Sequence, residues 1–435
     1  MKELIHPGQL RGHQAVVVGA GRSGLAAARL LTRLGAEVRL LEKDESRFSK
    51  ELKQLAEENG WALRFGEHKP EDFKGANLII LSPGVQKRNI QAHIPAGAQV
   101  YSELELASWF VSEPIIAVTG TNGKTTTTLL ITHVLEKTGK VVFTGGNIGT
   151  PLSEYLLEGR RAEILVLEAS SFQLENCSGF HPRVAIFLNF SPNHLDYHQD
   201  IQEYFEAKLK LFARQNEQDL AILPLSLKGE LEKRSFTRAR RVYFVPQDRF
   251  SCPRLRGEHN QENLEAAFLA CKYFGVTESE FEKNIQDFVP PAHRQEIFFQ
   301  HKGITFVDDS KATTVDAVKS ALKTFPRPIR LVAGGVFKGG NLKVIRPVVQ
   351  EKVCKVYLFG ASKEIFIQAF GDLVEMEWFP TLEEAVRKIV VDAEPGDTVL
   401  LSPGTASFDL FPDYKARGMQ FQRLVLDCVR DKGNG

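Results

Sequence analysis

Cysteine is scarce in this sequence: five in 435 residues (Cys177, Cys252, Cys271, Cys354, Cys428), scattered along the chain. The number is odd and no CxxC pair occurs. This argues against a disulfide framework and a cysteine zinc site, and it suits a reducing compartment. No uninterrupted apolar run approaches the roughly 18–20 residues of a membrane-spanning helix. The opening residues, MKELIHPGQLRGHQ, hold no apolar stretch, so no secretory leader is expected. An excess of one charge is also missing, since 55 Lys and Arg stand against 54 Asp and Glu. Broad electrostatic binding of nucleic acid or of an anionic membrane is therefore not expected. Solenoid-length repeats and low-complexity tracts are absent too.

What is present is ordinary globular composition, 43% hydrophobic and 25% charged, enough for several cores. Short β-branched runs alternate with longer helical patterns, the signature of parallel sheets with crossover helices. AVVVGAGRSGLAAARLLTRLGAEVRLLE reads as strand, glycine turn, helix and strand. A second unit opens with IIAVTGTNGKTTTTLLITHVLEKTG, after a boundary at Ser112–Pro114. A third follows Pro290-Pro291 and gives ITFVDDSKAT, IRLVAGGVFKGG, KVYLFGAS and TVLLSPGTAS, each a strand opening into a small or charged loop. The expected fold class is α/β, with three consecutive, mainly parallel domains at 1–112, 113–290 and 291–435. Ligands are expected at the carboxyl ends of the strands.

Gly120-Thr121-Asn122-Gly123-Lys124-Thr125 lies between a buried-strand pattern and a helix pattern. It resembles a phosphate-binding P-loop, although Val118 stands where the first glycine would fall. Such a turn aims backbone N–H groups and the positive helix end at an anion. Lys124 would neutralise phosphate charge, and Thr125 would offer a hydroxyl to magnesium. The alternative is a glycine turn with no ligand. Gly19-Ala20-Gly21-Arg22-Ser23-Gly24 fits GxGxxG, with Glu42 ending the next strand. Alone that suggests NAD, but the turn suits any diphosphate, including that of a UDP-linked substrate, or simple helix–strand packing.

Glu168 ends the strand pattern EILVLE, where a carboxylate can serve a nucleotide-bound magnesium. NHLDYH brings His194, Asp196 and His198 close in sequence. In DIQEYFEAKLKLFARQ, helical spacing puts Ile201, Phe205 and Phe212 on one face with Lys208 among them, and Lys210 opposite. A lysine on a buried face has a lowered pKa and can react with CO₂ to give a carbamate, an anionic metal ligand. Snorkelling is the plainer reading. In the third unit Asp308, Asp309, Ser310, Lys311, Lys338 and Ser407 sit at strand ends, with His293-Arg294 before them. Convergent cations there suit an anionic substrate or a transferring phosphate.

GTNGKTTT, GGNIGTPL, LEASSFQLE, NHLDYH, YFEAKLKLF, HNQENLEAA, AHRQE, DDSKATT and LSPGTASFD occur in the order found in Mur ligases. Together they span nearly the whole chain, and the sequence resembles that family. Within it, SSFQLE, DSKAT and the GxGxxG start are similar to the branch that adds D-glutamate.

The resemblance implies a Rossmann-like UDP-binding domain, a central ATPase-like domain and a Rossmann-like C-terminal domain. It implies a cytoplasmic enzyme of peptidoglycan precursor synthesis. ATP activates the carboxylate of UDP-N-acetylmuramoyl-L-alanine as an acyl phosphate, and D-glutamate then displaces phosphate. It further implies ATP on Gly120, Thr121, Asn122, Gly123, Lys124, Thr125, Thr126, Asn260, Asn263, Arg294 and Asp309. Magnesium, or manganese in its place, is implied at Thr125 and Glu168, and a second ion at His194 and a carbamylated Lys208. The UDP substrate falls to Arg22, Ser23, Gly24, Glu42, Ser82, Pro83, Gly84 and Asn147. D-glutamate falls to Lys311, Thr313, Lys338, Ser407, Phe408 and Tyr414. A monomer without nucleic-acid or membrane partners is expected, with domain closure on ligand binding. Four departures from the family pattern, at Phe337, Thr314, Glu42 and Gly404-Thr405, bear on the amino-acid and uridine contacts. A related Mur or folylpolyglutamate-type ligase, a nucleotide-binding regulator and an NAD-dependent oxidoreductase are the competing readings. The last leaves the GKT loop, Glu168 and Lys208 unexplained.

Overall fold

The structure is a computed structural model that describes residues 8–159, 161–194 and 197–433. The chain forms two compact units. The first runs to Phe190 and adds 197–247 and 262–286; the second takes 248–261, the chain from Asp287 onward and the stretch containing His194.

The first unit holds two sheets. One comprises β1 (Gln14–Val18), β2 (Glu37–Glu42), β3 (Ala62–Phe65), β4 (Leu78–Leu81) and β5 (Gln99–Ser102), in the order β3-β2-β1-β4-β5. The other comprises β6 (Ile115–Thr119), β7 (Val142–Gly146), β8 (Ile164–Glu168), β9 (Val184–Phe187), β10 (Leu220–Pro224) and β11 (Arg240–Phe244), in the order β11-β10-β9-β6-β8-β7. Every pairing in both is parallel. The strands β4, β6, β8, β9 and β10 are buried along their whole length, which is why they read as unbroken apolar runs. Strand order reverses at β1 in one sheet and at β6 in the other. The loops after these strands therefore diverge from their neighbours and leave a crevice, the place where open α/β sheets take ligands.

One apolar core runs beneath both sheets of this unit, from Val17, Leu40 and Ile80 through Leu104, Leu106 and Phe110 to Leu152, Leu165 and Phe187. Arg29 and Glu154 close its rim with an ion pair at 2.8 Å.

The second unit holds β12 (Glu296–His301), β13 (Ile304–Asp308), β14 (Ile329–Gly334), β15 (Val353–Phe359), β16 (Glu375–Phe379) and β17 (Thr398–Leu401), in the order β12-β13-β17-β14-β15-β16. Only β12 runs antiparallel. It joins β13 through Lys302-Gly303, both at positive φ (47° and 78°), the backbone of a tight hairpin turn. The expected α/β class with mainly parallel sheets holds, and this antiparallel edge is the one strand pairing that crossover reasoning does not anticipate.

Candidate active site

β6 runs into the phosphate-loop sequence, and the helix Lys124–Lys137 begins directly after it. Gly123 takes φ 82°, and a Cβ there would meet Asn263 Oδ1 at 2.3 Å, so only glycine fits. The loop is braced from β9. Asn122 N–H donates to Asn189 Oδ1 at 2.9 Å, Asn189 Nδ2 donates back to Asn122 O at 3.3 Å, and Thr121 N–H donates to Asn189 O at 3.0 Å. No pattern marked Asn189 in the sequence. Lys124 Nζ folds onto the loop, donating to Gly120 O and Thr121 O at 2.9 Å each. Thr127 Oγ1 donates to Asn263 Oδ1 at 3.2 Å, which ties the helix to the expected nucleotide-side asparagine. Thr126 is buried beside it.

Glu168, at the end of β8, gathers two of the expected residues. Its Oε2 accepts from Thr125 Oγ1 at 2.7 Å and its Oε1 from Asn147 Nδ2 at 2.7 Å, while its carbonyl accepts from Asn147 N–H at 2.8 Å.

Lys208 lies on the helix Ile201–Leu209, which Asp200 caps through the Glu203 N–H. The side chain is 1% exposed, so it does not snorkel. Its Nζ donates to Gly120 O at 2.9 Å and sits 4.4 Å from the Tyr204 ring centre. Burial, and then the nearby Lys124 charge, hold its amine well below the ordinary lysine range, against a smaller opposing pull from Glu168. Lys210 is exposed, as the helical spacing predicts, whereas Ile201, read as part of the buried face, is 38% exposed in the first turn. His198 is buried, 3.0 Å from Ser171 Oγ and stacked on Phe172. His194 belongs to the second unit, at φ 57° with its N–H on Asn193 Oδ1 (2.9 Å). Asp196 lies outside the described residues.

At the strand ends of the first sheet, a cavity of about 550 Å³ is lined by Gly19, Gly21, Arg22, Ser23, Glu42, Ser82, Pro83 and Gly84. Gly24 is not in the lining. A Cβ there would lie 1.9 Å from Gly19 O, so this third glycine serves helix–strand packing. Both Glu42 oxygens already accept backbone N–H groups, from Ala20 at 2.8 Å and Asp44 at 3.0 Å. Arg47, His68, Asn89 and His93 also line the cavity, from short helical turns and a loop without any motif.

In the second unit, Asp308 accepts from His293 Nδ1 at 2.6 Å, Gln422 Nε2 at 2.8 Å and Ser310 N–H at 2.9 Å. The Asp308 bond pushes the His293 pKa up. Instead of facing a ligand as a loop cation, His293 is buried in this network, and its backbone N–H donates to Glu296 Oε2 at 2.9 Å. Asp309 accepts from Gln295 N–H at 3.1 Å and Ser402 Oγ at 2.9 Å, and burial pushes its carboxyl up to about 8, opposed chiefly by the Ser402 bond. Lys311 Nζ lies 4.0 Å from the Tyr414 ring centre and Lys338 Nζ 5.1 Å from that of Phe408. Ser407 is buried, Thr313 is half-buried beside the helix cap Thr314, and Asn260 donates to Arg256 O at 2.7 Å.

One residue that sequence reasoning missed organises these loops. Arg417 is fully buried on the helix Tyr414–Gly433. It donates to Ser310 Oγ at 3.0 Å, Ser310 O at 2.8 Å and Thr405 O at 3.1 Å, with longer contacts to Gly334 O and Ala406 O. It thus ties together the loops after β13, β14 and β17. Burial lowers its guanidinium to about 10.

Comparison with known proteins agrees with this layout. Residues 13–102 match the Mur ligase MurD-like N-terminal domain, 118–251 the Mur ligase middle domain and 293–404 the Mur ligase glutamate ligase domain. The UDP-N-acetylmuramoylalanine–D-glutamate ligase of Oleidesulfovibrio alaskensis is 49% identical over 420 residues, 95% of this chain and 94% of that one. The protein of the same name from Desulfovibrio desulfuricans is 49% identical over 422 residues, 95% of this chain and 96% of that one. In fold, the chain is similar to the MurF ligase of Thermotoga maritima in complex with ADP, with a TM-score of 0.63, 17% identity and coverage of 99% of this chain and 100% of that one. The chain belongs to the Mur ligase family.

Proposed function

We infer that this protein joins D-glutamate to UDP-N-acetylmuramoyl-L-alanine at the expense of ATP. The observation that carries the reading is the cluster at β6 and β8: Thr125 on Glu168 at 2.7 Å, with Lys124 and Lys208 both bonded to Gly120 O at 2.9 Å. A carboxylate is a poor acylating agent, so a phosphoryl group must be transferred to it before an amine can attack. The substrate carboxylate oxygen attacks the γ-phosphorus and ADP leaves. The D-glutamate amine then attacks the acyl carbon, and phosphate leaves as the amide forms. Catalysis is mainly alignment and neutralisation of mutually repelling anions.

In this reading Gly120 to Thr126 and Asn263 receive ATP phosphates, with Lys124 leaving its carbonyls for them. Asn260, on the helix Glu258–Tyr273, and Arg294 and Asp309 are the further nucleotide residues of this reading. Thr125 and Glu168 offer a hydroxyl and a carboxylate, hard oxygen donors that suit magnesium. The ion would neutralise phosphate charge. The buried Lys208 amine, with its pKa lowered, adds to CO₂ in its unprotonated form and loses a proton, giving a carbamate that supplies a further anionic oxygen. The cavity at β1 and β4 takes the UDP group through Arg22, Ser23 and Ser82 to Gly84. Asn147 faces the sugar. Lys311, Thr313, Lys338, Ser407, Phe408 and Tyr414 place D-glutamate. The division into domains at 1–112, 113–290 and 291–435, a monomeric state and a cytoplasmic location belong to the same reading. No helix among the described residues is long and apolar enough to cross a membrane.

The test is phosphate release with ATP, magnesium and UDP-N-acetylmuramoyl-L-alanine, offering D-glutamate, L-glutamate, L-lysine or meso-diaminopimelate in turn. Release with D-glutamate alone, one amide per phosphate, is expected. Release with another amino acid instead would overturn the assignment of D-glutamate.

A further inference from the structure

The helix Glu103–Ser108 starts where β5 ends, and it carries two acidic residues that are both 1% exposed, Glu103 and Glu105. Glu105 is fully engaged. Its oxygens accept the backbone N–H groups of Ser178 (3.1 Å), Gly179 (2.8 Å) and Phe180 (2.9 Å), and Trp109 Nε1–H at 3.1 Å. Glu103 is different. Its Oε1 accepts the Ser153 N–H at 2.6 Å, but its Oε2 is buried with no partner among the described residues, as is the Ser153 hydroxyl. Among the described residues no cation pairs with it. A lone buried carboxylate is costly, so this site favours the neutral acid. Burial accordingly pushes the Glu103 carboxyl up, against the smaller opposing pull of the Ser153 N–H.

Ser153 lies in the first turn of the helix Leu152–Glu158, just after the turn that carries Asn147. Asn147 holds Glu168 through its side chain and its backbone N–H. At the start of the same turn, a Cβ on Gly146 would lie 2.4 Å from Glu168 O. The turn is therefore gripped by Glu168 at one end and by Glu103 at the other. We propose that Glu103 is a positioning residue: through the Ser153 N–H it fixes the 146–152 turn, and with it Asn147 and the Glu168 carboxylate, to the end of β5. The end of β5, which pairs with β4 of the first sheet, and the loop beside the phosphate cradle then keep one register. Naming the ligands of those two places rests on the ligase reading above.

Two measurements on the full chain test this. The first is amide hydrogen exchange across 146–153 without substrates, in wild type, Glu103→Ala, Glu103→Leu and Glu103→Gln. Loss of the acceptor in Ala and Leu should speed exchange there while β8 stays protected. Gln keeps an acceptor for the Ser153 N–H at nearly the same size, so it should restore protection. The second is the KM for UDP-N-acetylmuramoyl-L-alanine, expected to rise roughly 10- to 100-fold in Ala and Leu, as for other residues that orient a metal carboxylate, with the D-glutamate KM unchanged and Gln rescuing. Leu keeps the volume, so it reports even where Ala fails to fold. Wild-type exchange in Leu, unchanged KM values with only a lower active fraction, or no rescue by Gln would each overturn the proposal. A wild-type enzyme inactive with D-glutamate would sink the ligase reading instead, and the exchange data would still judge Glu103.

Discussion

The two units use their lysine and arginine side chains in opposite ways. In the first, Lys124 and Lys208 converge on a single backbone carbonyl, Gly120 O, inside the loop they would serve. In the second, the buried cation is Arg417, which binds loop backbone, while Lys311 and Lys338 rest over the rings of Tyr414 and Phe408, the latter 66% exposed. A lysine on a carbonyl can leave it for a phosphate, because the weak acceptor is easily exchanged for an anion. A buried guanidinium with several donors in a fixed fork cannot leave without stranding what it holds. The first unit thus keeps its two buried amines at the chemistry. The second uses one charge as scaffold and presents the others from its surface.

The largest effect that would break this contrast is at Lys208. Its substitution by Ala should lower turnover by about 100- to 1,000-fold, the scale for losing a preorganised charged group. A short carboxylic acid should restore part of the rate by standing in for the carbamate. Phosphate release with and without the added acid checks both. Full activity in the variant would show that Lys208 only packs.

Arg417→Met should instead act on the second unit alone. Ser310 O and Thr405 O would lose their side-chain donor, at about 1–3 kcal/mol for each buried acceptor left unpaired. Unfolding of this unit should move to lower denaturant, and the D-glutamate KM should rise. Binding of UDP, measured calorimetrically, should stay as in wild type. A parallel loss of UDP affinity would mean that the scaffold role extends beyond the loops it touches.

These two residues also mark how far the sequence could be read. Lys208 was legible because a helix has a period, and a lysine among apolar positions breaks it visibly. The phosphate loop and Glu168 were legible because strand, glycine and helix succeed one another along the chain. Arg417 was not: it stands more than a hundred residues from Ser310, in a helix whose pattern says nothing about what one buried arginine reaches. Asn189 escaped for the same reason, since its partner Asn122 comes from the loop after another strand. Glu42 was legible as a position but not as a state, for nothing local says that both its oxygens already hold backbone N–H groups. The antiparallel β12 was missed because alternation of strands and helices leads one to expect crossovers throughout. Periodicity and short motifs report contacts within an element or across one turn, and these contacts are neither.

A smaller effect separates the units by pH. Burial raises the folded Asp309 carboxyl to about 8, above the ordinary unfolded value near 4. Between those values the folded chain holds a proton that the unfolded chain has released, so stability contributed here falls as pH rises through that window. Denaturant unfolding of the second unit should show the fall, and Asp309→Asn should flatten it. A slope that survives in Asn would put the titration elsewhere, His293 being the neighbour to examine.

The smallest expected change is at Phe408. Its ring is mostly in solvent and lies 5.1 Å from Lys338 Nζ, so the pair is an exposed cation–aromatic contact worth about 0.5–1 kcal/mol. Phe408→Ala should leave unfolding almost unchanged, because the core loses nothing. If the ring only shields the lysine, the D-glutamate KM should change about twofold to fivefold, the kinetic equivalent of that energy, with kcat held. If the ring closes over bound D-glutamate, KM should rise well beyond that range while stability still does not move. The second result would make the contrast between the units sharper, since an exposed side chain that does nothing for the fold would then be doing its work only when the amino acid is present.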